Sequence, residues 1–334
     1  MELIDRRLLL AGGLATLIPL PALARGLASY PPPTREAMVP VEGGRVYVRV
    51  NGDLAGPRPP LLLIHGGPGG THDALLEALP LADERAVILY DQLDSGRSDR
   101  PDNPANWRVA RFVDEVEAVR RALGVRRWHV LGHSWGGTIA LEYGALEYGA
   151  RRPEALAGLA LASPLIATKS WIGDANILVD ALPAPIRDEI RRCEAIAAPQ
   201  PPSCGTATRA FYAAYNGREP ASPARRAYAQ AAGGRGFNAK LYETMWGSSE
   251  FVSTGTLSNY DGEPLLAKLD GRRTLFICGQ YDEARPATIG NYAARVPGAE
   301  FAVIPGAAHN IFGDRPEETI ATVRGWLSRQ DALA

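Results

Sequence analysis

Trp128-His129-Val130-Leu131-Gly132-His133-Ser134-Trp135-Gly136-Gly137 is the stretch that decides the fold. A short apolar run, Trp128 to Leu131, leads into Gly132-His133-Ser134-Trp135-Gly136, which matches G-x-S-x-G, and a helical pattern follows over residues 135–150. The five-residue pattern recurs by chance, so its weight comes from this setting of strand, tight turn and helix. Such a turn crowds its neighbours, which is why glycines flank the serine. The helix N-terminus behind it supplies amides and a positive dipole end for developing negative charge.

Outward from this turn the chain repeats one theme. Leu61 to His65, Ala86 to Tyr90 and Leu156 to Ala162 are further continuous apolar runs, and residues 107–123 carry a helical pattern. The theme resumes with a strand at 274–278, a helix near 286–296, a strand from Phe301 to Ile304 and a last helix near 315–329. Continuous apolar strands alternating with helices predict an α/β fold, a mostly parallel sheet covered on both faces. Residues 39–51 alternate around Gly43-Gly44 and read as a hairpin. Residues 165–258 lack strand signals and carry amphipathic stretches at 186–197 and 207–215. They predict a helical cap inserted into a core of residues 36–164 and 259–330, lying over the sheet edge where ligands bind in open α/β folds.

Composition excludes several classes. The 334 residues are 46% hydrophobic and 22% charged, with 36 Lys+Arg against 37 Asp+Glu and a net charge of −1. That is a globular composition without the basic excess a nucleic-acid partner normally needs. Three cysteines are too few for a disulfide scaffold or a structural zinc site, so no metal is expected. A tandem repeat, Leu141-Glu142-Tyr143-Gly144-Ala145 then Leu146-Glu147-Tyr148-Gly149-Ala150, reads as a tolerated duplication near a helix end.

The N-terminus reads as an address. Arg6-Arg7 precede an apolar run from Leu8 to Leu20, too short for the ~20 residues that span a bilayer. Ala22-Leu23-Ala24 follows as a small-x-small cleavage site. Residues 1–24 are therefore expected to be a twin-arginine signal cleaved after Ala24, engaging the twin-arginine export machinery and leaving no stable membrane span. The destination would be the periplasm or the exterior. There, Cys193 and Cys204, 11 positions apart, are either a disulfide or two free thiols; Cys278 reads as a core residue.

Ser134 needs a base and an orienting acid, in chain order serine, acid, histidine. Asp282 follows the strand ending at Cys278, and His309 follows the strand ending at Ile304, both on loops at carboxyl ends of strands. Of the five histidines, His309 alone has that position downstream. His65-Gly66-Gly67-Pro68-Gly69 follows the Leu61–Ile64 run, where a second oxyanion donor belongs. The backbone N–H groups of Gly67 and Trp135 are the expected oxyanion hole.

With these motifs in place, the chain resembles the proline iminopeptidase family of α/β-hydrolases, which includes the tricorn-interacting aminopeptidases, over roughly residues 39–328. Beyond the motifs already quoted, it is similar in Tyr90-Asp91-Gln92 with Gly96-Arg97-Ser98, in Trp246-Gly247-Ser248-Ser249-Glu250-Phe251 and in Gly279 to Glu283. Asp94 stands where that family usually has glycine. The resemblance implies removal of an N-terminal residue, often proline, from a peptide, amide or arylamide with a free amine. It implies no cofactor, and it assigns Glu250 and Glu283 to binding the substrate amine. Two other readings are an L-amino-acid amidase or esterase on the same scaffold, and a catalytically silent binding module.

Overall fold

The computed structural model describes residues 29–147, 154–196, 201–231 and 236–333. The expected signal, residues 1–24, and residues 148–150 of the duplication lie outside the described residues.

The chain opens with a hairpin of β1 (Arg35–Val41) and β2 (Gly44–Asn51), turning at Gly43, whose φ of +89° suits glycine. It then alternates: β3 (Leu61–Ile64), β4 (Val87–Tyr90), α1 (Val109–Ala122), β5 (Trp128–His133), α2 (Trp135–Leu146) and β6 (Leu156–Ala162). Five helices follow: α3 (Thr168–Asp180), α4 (Ala184–Glu194), α5 (Pro202–Tyr215), α6 (Pro223–Ala231) and α7 (Ala239–Met245). The alternation returns with β7 (Thr274–Gly279), α8 (Pro286–Ala294), β8 (Glu300–Ile304), α9 (Ile311–Asp314) and α10 (Pro316–Asp331). The eight strands form one sheet in the order β1-β2-β4-β3-β5-β6-β7-β8, antiparallel at β1/β2 and β2/β4 and parallel elsewhere.

The central strands β3 and β4 are apolar at every position because successive side chains enter different cores. Leu62, Ile64, Ile88 and Val130 pack on one face with Phe112, Val116 and Ile139 of α1 and α2. Leu61, Leu63, Val87 and Leu89 pack on the other with Val323, Trp326 and Leu327 of α10. Two details differ from the expected elements. The hairpin begins at Arg35, which pairs with Val50, and residues His72–Asp83 form 3₁₀ turns. Pro80 inside that segment breaks the apolar periodicity by which a helix is recognised.

The helices between β6 and β7 have a small core of their own, including Val179, Ile190, Phe211 and Phe251. Cys193 of α4 and Cys204 of α5 are joined in a disulfide, with Cα atoms 5.7 Å apart. Among the described residues, no helix is long and apolar enough to cross a membrane.

Candidate active site

Ser134 occupies the turn between β5 and α2 with φ 59° and ψ −123°, a conformation rare for a residue with a Cβ. Its neighbours hold it there: Ser134 N–H donates to Ala162 O at 2.9 Å, and its carbonyl accepts from Gly137 N at 2.8 Å. Two glycines make the turn possible. A Cβ on Gly132 would lie 2.0 Å from Gly136 O, and one on Gly136 would lie 2.2 Å from Ile64 O. Backbone strain at such a position persists only when the surroundings over-determine it.

Asp282 and His309 hang from the carboxyl ends of β7 and β8, beside Ser134 at the end of β5. His309 Nδ1 and Asp282 Oδ1 are 2.8 Å apart, both residues buried. The other Asp282 oxygen accepts from Ser163 Oγ at 2.5 Å and from Gly279 N at 3.0 Å, and Oδ1 also accepts from Ala284 N at 2.9 Å. With this many donors the carboxylate has one orientation, and it fixes the histidine tautomer with Nε2 free for chemistry.

A cavity of about 440 Å³ is lined by Ser134, His309, Gly67, Trp135, Glu250 and Glu283, so all the sequence-derived site residues except Asp282 meet there directly. Asp282 joins through His309. Gly66, in the loop after β3, lies so close to the nucleophile turn that a Cβ on it would come within 2.8 Å of Ser134 Cβ. Trp135 heads α2, where N–H groups of the first turn have no partner inside the helix.

Glu283 is 2% exposed; Oε1 accepts from Asn216 Nδ2 at 2.6 Å and lies 3.7 Å from His309 Nε2. Its Oε2 is buried with no hydrogen-bond partner among the described residues. Glu250, half-buried, accepts from Trp171 Nε1 at 3.2 Å and from Tyr242 OH. Burial pushes Glu283 up from the usual carboxylate range, the His309 charge opposes this, and Glu250 reinforces it. Burial likewise pushes Glu250 up, opposed by its hydrogen bond from Tyr242. For His309, burial pulls down, but the carboxylates of Asp282, Glu283 and Glu250 outweigh it and hold the imidazole up at about 9. Three acidic groups around one imidazole favour an additional cation in this cavity.

Several residues here went unassigned in the sequence. Ser163, just beyond β6, braces Asp282. His133 Nε2 sits 2.8 Å from His309 O, which ties the serine loop to the histidine loop. The Tyr215 carbonyl, at the end of α5, accepts from both Glu283 N and His309 N, each at 3.1 Å. Helix ends leave such carbonyls unpaired, and here the inserted helices use one to hold both loops. Only Ser163 had a sequence signal, its place after a strand; the rest depend on long-range packing. Asp94 has φ 65°, a conformation that favours glycine, and its carboxylate accepts from Trp107 Nε1 and Asp102 N, each at 2.8 Å.

The comparisons with known proteins agree with this arrangement. Residues 59–316 match the family model described as alpha/beta hydrolase fold. The proline iminopeptidase of Heyndrickxia coagulans is 34% identical over 293 residues, covering 88% of this chain and 98% of the relative. That of Levilactobacillus brevis is 32% identical over 306 residues, covering 90% and 98%. The crystal structure of a proline iminopeptidase from Mycobacterium smegmatis superposes with a TM-score of 0.79 at 33% identity, covering 90% of this chain and 99% of that one. Similarity of this depth over nearly full length, with the serine turn, the acid–histidine pair and the inserted helices in one architecture, places the chain in the α/β-hydrolase fold and, within it, in the proline iminopeptidase family.

Proposed function

We propose that the chain is a serine aminopeptidase that releases an N-terminal residue, proline foremost, from peptides, amides or arylamides through an acyl-enzyme. The buried Oε2 of Glu283 in the cavity wall, without a partner among the described residues, carries the proposal. A buried acceptor left empty is disfavoured, and a substrate ammonium fills it. One ion pair at ~4 Å in an effective dielectric of ~20 is worth about 4 kcal/mol before desolvation is subtracted. Leu165, Trp171 and Trp246 add an apolar lining suited to a pyrrolidine ring.

In the mechanism, Ser134 Oγ attacks the carbonyl, and His309 Nε2 accepts its proton and returns it to the leaving amine. Asp282 holds the imidazole, and the N–H groups of Gly67 and Trp135 receive the oxyanion. Water then releases the acyl group by the same steps in reverse roles. The ammonium has a second effect: by pairing with Glu283 and Glu250 it removes the charge that keeps His309 protonated, so substrate arrival turns the imidazole into a base. Hydrolysis of prolyl arylamide is compared with its N-acetyl form, in the wild type and Glu250→Gln. The free form is expected to be preferred, and Glu250→Gln to lower its kcat/KM by roughly 10–1000-fold. Equal cleavage of both forms by the wild type would favour a general amidase or esterase.

We also infer export by the twin-arginine route, with cleavage after Ala24. The Arg6-Arg7 pair, the short apolar run and Ala22-Leu23-Ala24 support it, as does the Cys193–Cys204 disulfide, since such bonds persist in oxidising compartments. Replacing both arginines by lysine should leave full-length protein in the cytoplasm; unchanged delivery would overturn the route.

A further inference from the structure

The cavity is not uniformly acidic. Arg225 of α6 is the one arginine or lysine among its described lining residues. It arrives from a different quarter than the two glutamates. Glu250 follows α7 and Glu283 follows β7, whereas α6 packs on the His72–Asp83 segment that continues the oxyanion loop. Thr71, just before that segment, and Ala74 within it also line the cavity.

The guanidinium of Arg225 forms no ion pair or hydrogen bond with the described residues; its backbone N–H donates to Ser222 Oγ. Its neighbours in the inserted helices behave differently. Arg187, Arg191 and Arg192 of α4 each hold a carboxylate. Arg226, next in the chain, donates to Ala221 O. A half-buried guanidinium that lines the cavity and has no partner among the described residues is matched to an anion, and its planar fork suits a carboxylate. A short peptide brings one: it has an ammonium at one end and a carboxylate at the other, and the cavity has carboxylates and a guanidinium on different elements. A volume of about 440 Å³ accommodates a ligand of a few residues.

We propose that Arg225 receives the C-terminal carboxylate of the substrate, making free di- and tripeptides the preferred class over longer or carboxyl-blocked peptides. This rests on the aminopeptidase reading above and deepens it by naming the far end of the substrate.

The test uses matched acids and amides: Pro-Ala against Pro-Ala-NH₂, the same pair one residue longer, and prolyl arylamide, each with wild type, Arg225→Gln and Arg225→Lys. Hydrogen bonds to charged groups predict an acid-over-amide ratio of kcat/KM of about 10–100 in the wild type. That ratio should fall close to one in Arg225→Gln and recover in part in Arg225→Lys. A wild-type ratio of one at both lengths overturns the proposal, as does a ratio that Arg225→Gln leaves in place. The wild-type comparison stands even if a variant fails to fold. If prolyl arylamide is not cleaved at all, the aminopeptidase reading itself fails; if it is cleaved and acid and amide are equal, the Arg225 assignment alone fails.

Discussion

The indole Nε1 of Trp135 donates to Gln92 Oε1 across 2.9 Å, deep in the protein. The amide nitrogen of the same Gln92 donates to the His65 carbonyl at 2.8 Å, and its backbone N–H donates to His65 Nε2 at 3.1 Å. One side chain therefore joins the loop that carries Gly67 to the turn that carries Ser134 and Trp135. Oxyanion donors act by being held in place before charge develops, so the spacing between these segments matters to the reaction.

Gln92→Leu should accordingly act on turnover. Loss of one oxyanion donor lowers kcat by about 10²–10³-fold, and loosening two donors is expected to fall near 10–100-fold, with KM moved by less than about threefold. Steady-state kinetics on prolyl arylamide measure this. A raised KM with kcat unchanged would mean that Gln92 shapes only ground-state binding.

The serine, histidine and aspartate should behave as a unit. Ser134→Ala and His309→Ala are each expected to lose on the order of 10⁴-fold or more in kcat, and the double variant little beyond either. Asp282→Asn should be milder, about 10²–10⁴-fold, while also lowering Tm because its new amide would face the donors of Ser163 and Gly279. Independent, multiplying losses would contradict the assigned roles.

The pH dependence has a definite sign. His309 is held up at about 9 in the free site, after burial is outweighed by Asp282, Glu283 and Glu250, and attack by Ser134 needs the neutral imidazole. Labelling of Ser134 by a fluorophosphonate, which carries no amine, should therefore accelerate with rising pH up to about that value. Glu283→Gln removes one of the carboxylates and should move the limb to lower pH. An unmoved limb would show that Glu283 does not act on His309 electrostatically.

The Cys193–Cys204 bond closes a short loop between two helices. By chain entropy a loop of this length is worth about 2–3 kcal/mol. Cys193→Ser is expected to lower Tm by several degrees and to raise amide exchange first in α4 and α5, with little change in kcat. Identical melts with and without reductant would show that the bond does not form in the folded protein.

Much of this architecture is written locally. The parallel strands are legible because both faces of the sheet are buried, which forces continuous apolar runs such as Leu61–Ile64 and Leu156–Ala162. The turn at Ser134 is legible because steric crowding leaves glycine as the one residue that fits at positions 132 and 136. Asp282 and His309 are legible because they follow strand ends, and parallel strands present those ends along one edge of the sheet. The His72–Asp83 turns escaped because Pro80 removes the periodic signal.

Chain order, strand identity and the serine–acid–histidine sequence were thus determined by the amino-acid sequence alone, since each follows from local sterics and from which faces are buried. Tertiary structure alone decided what surrounds them. It brought Glu250 into reach of Trp171 and Tyr242, set Tyr215 O against both catalytic loops, and left Glu283 Oε2 and the Arg225 guanidinium without partners among the described residues. These relations join residues from about 8 to more than 90 positions apart, across inserted helices whose docking is set by side-chain packing. No periodicity or spacing encodes such packing, because it depends on the summed fit of surfaces that meet only when the chain has folded.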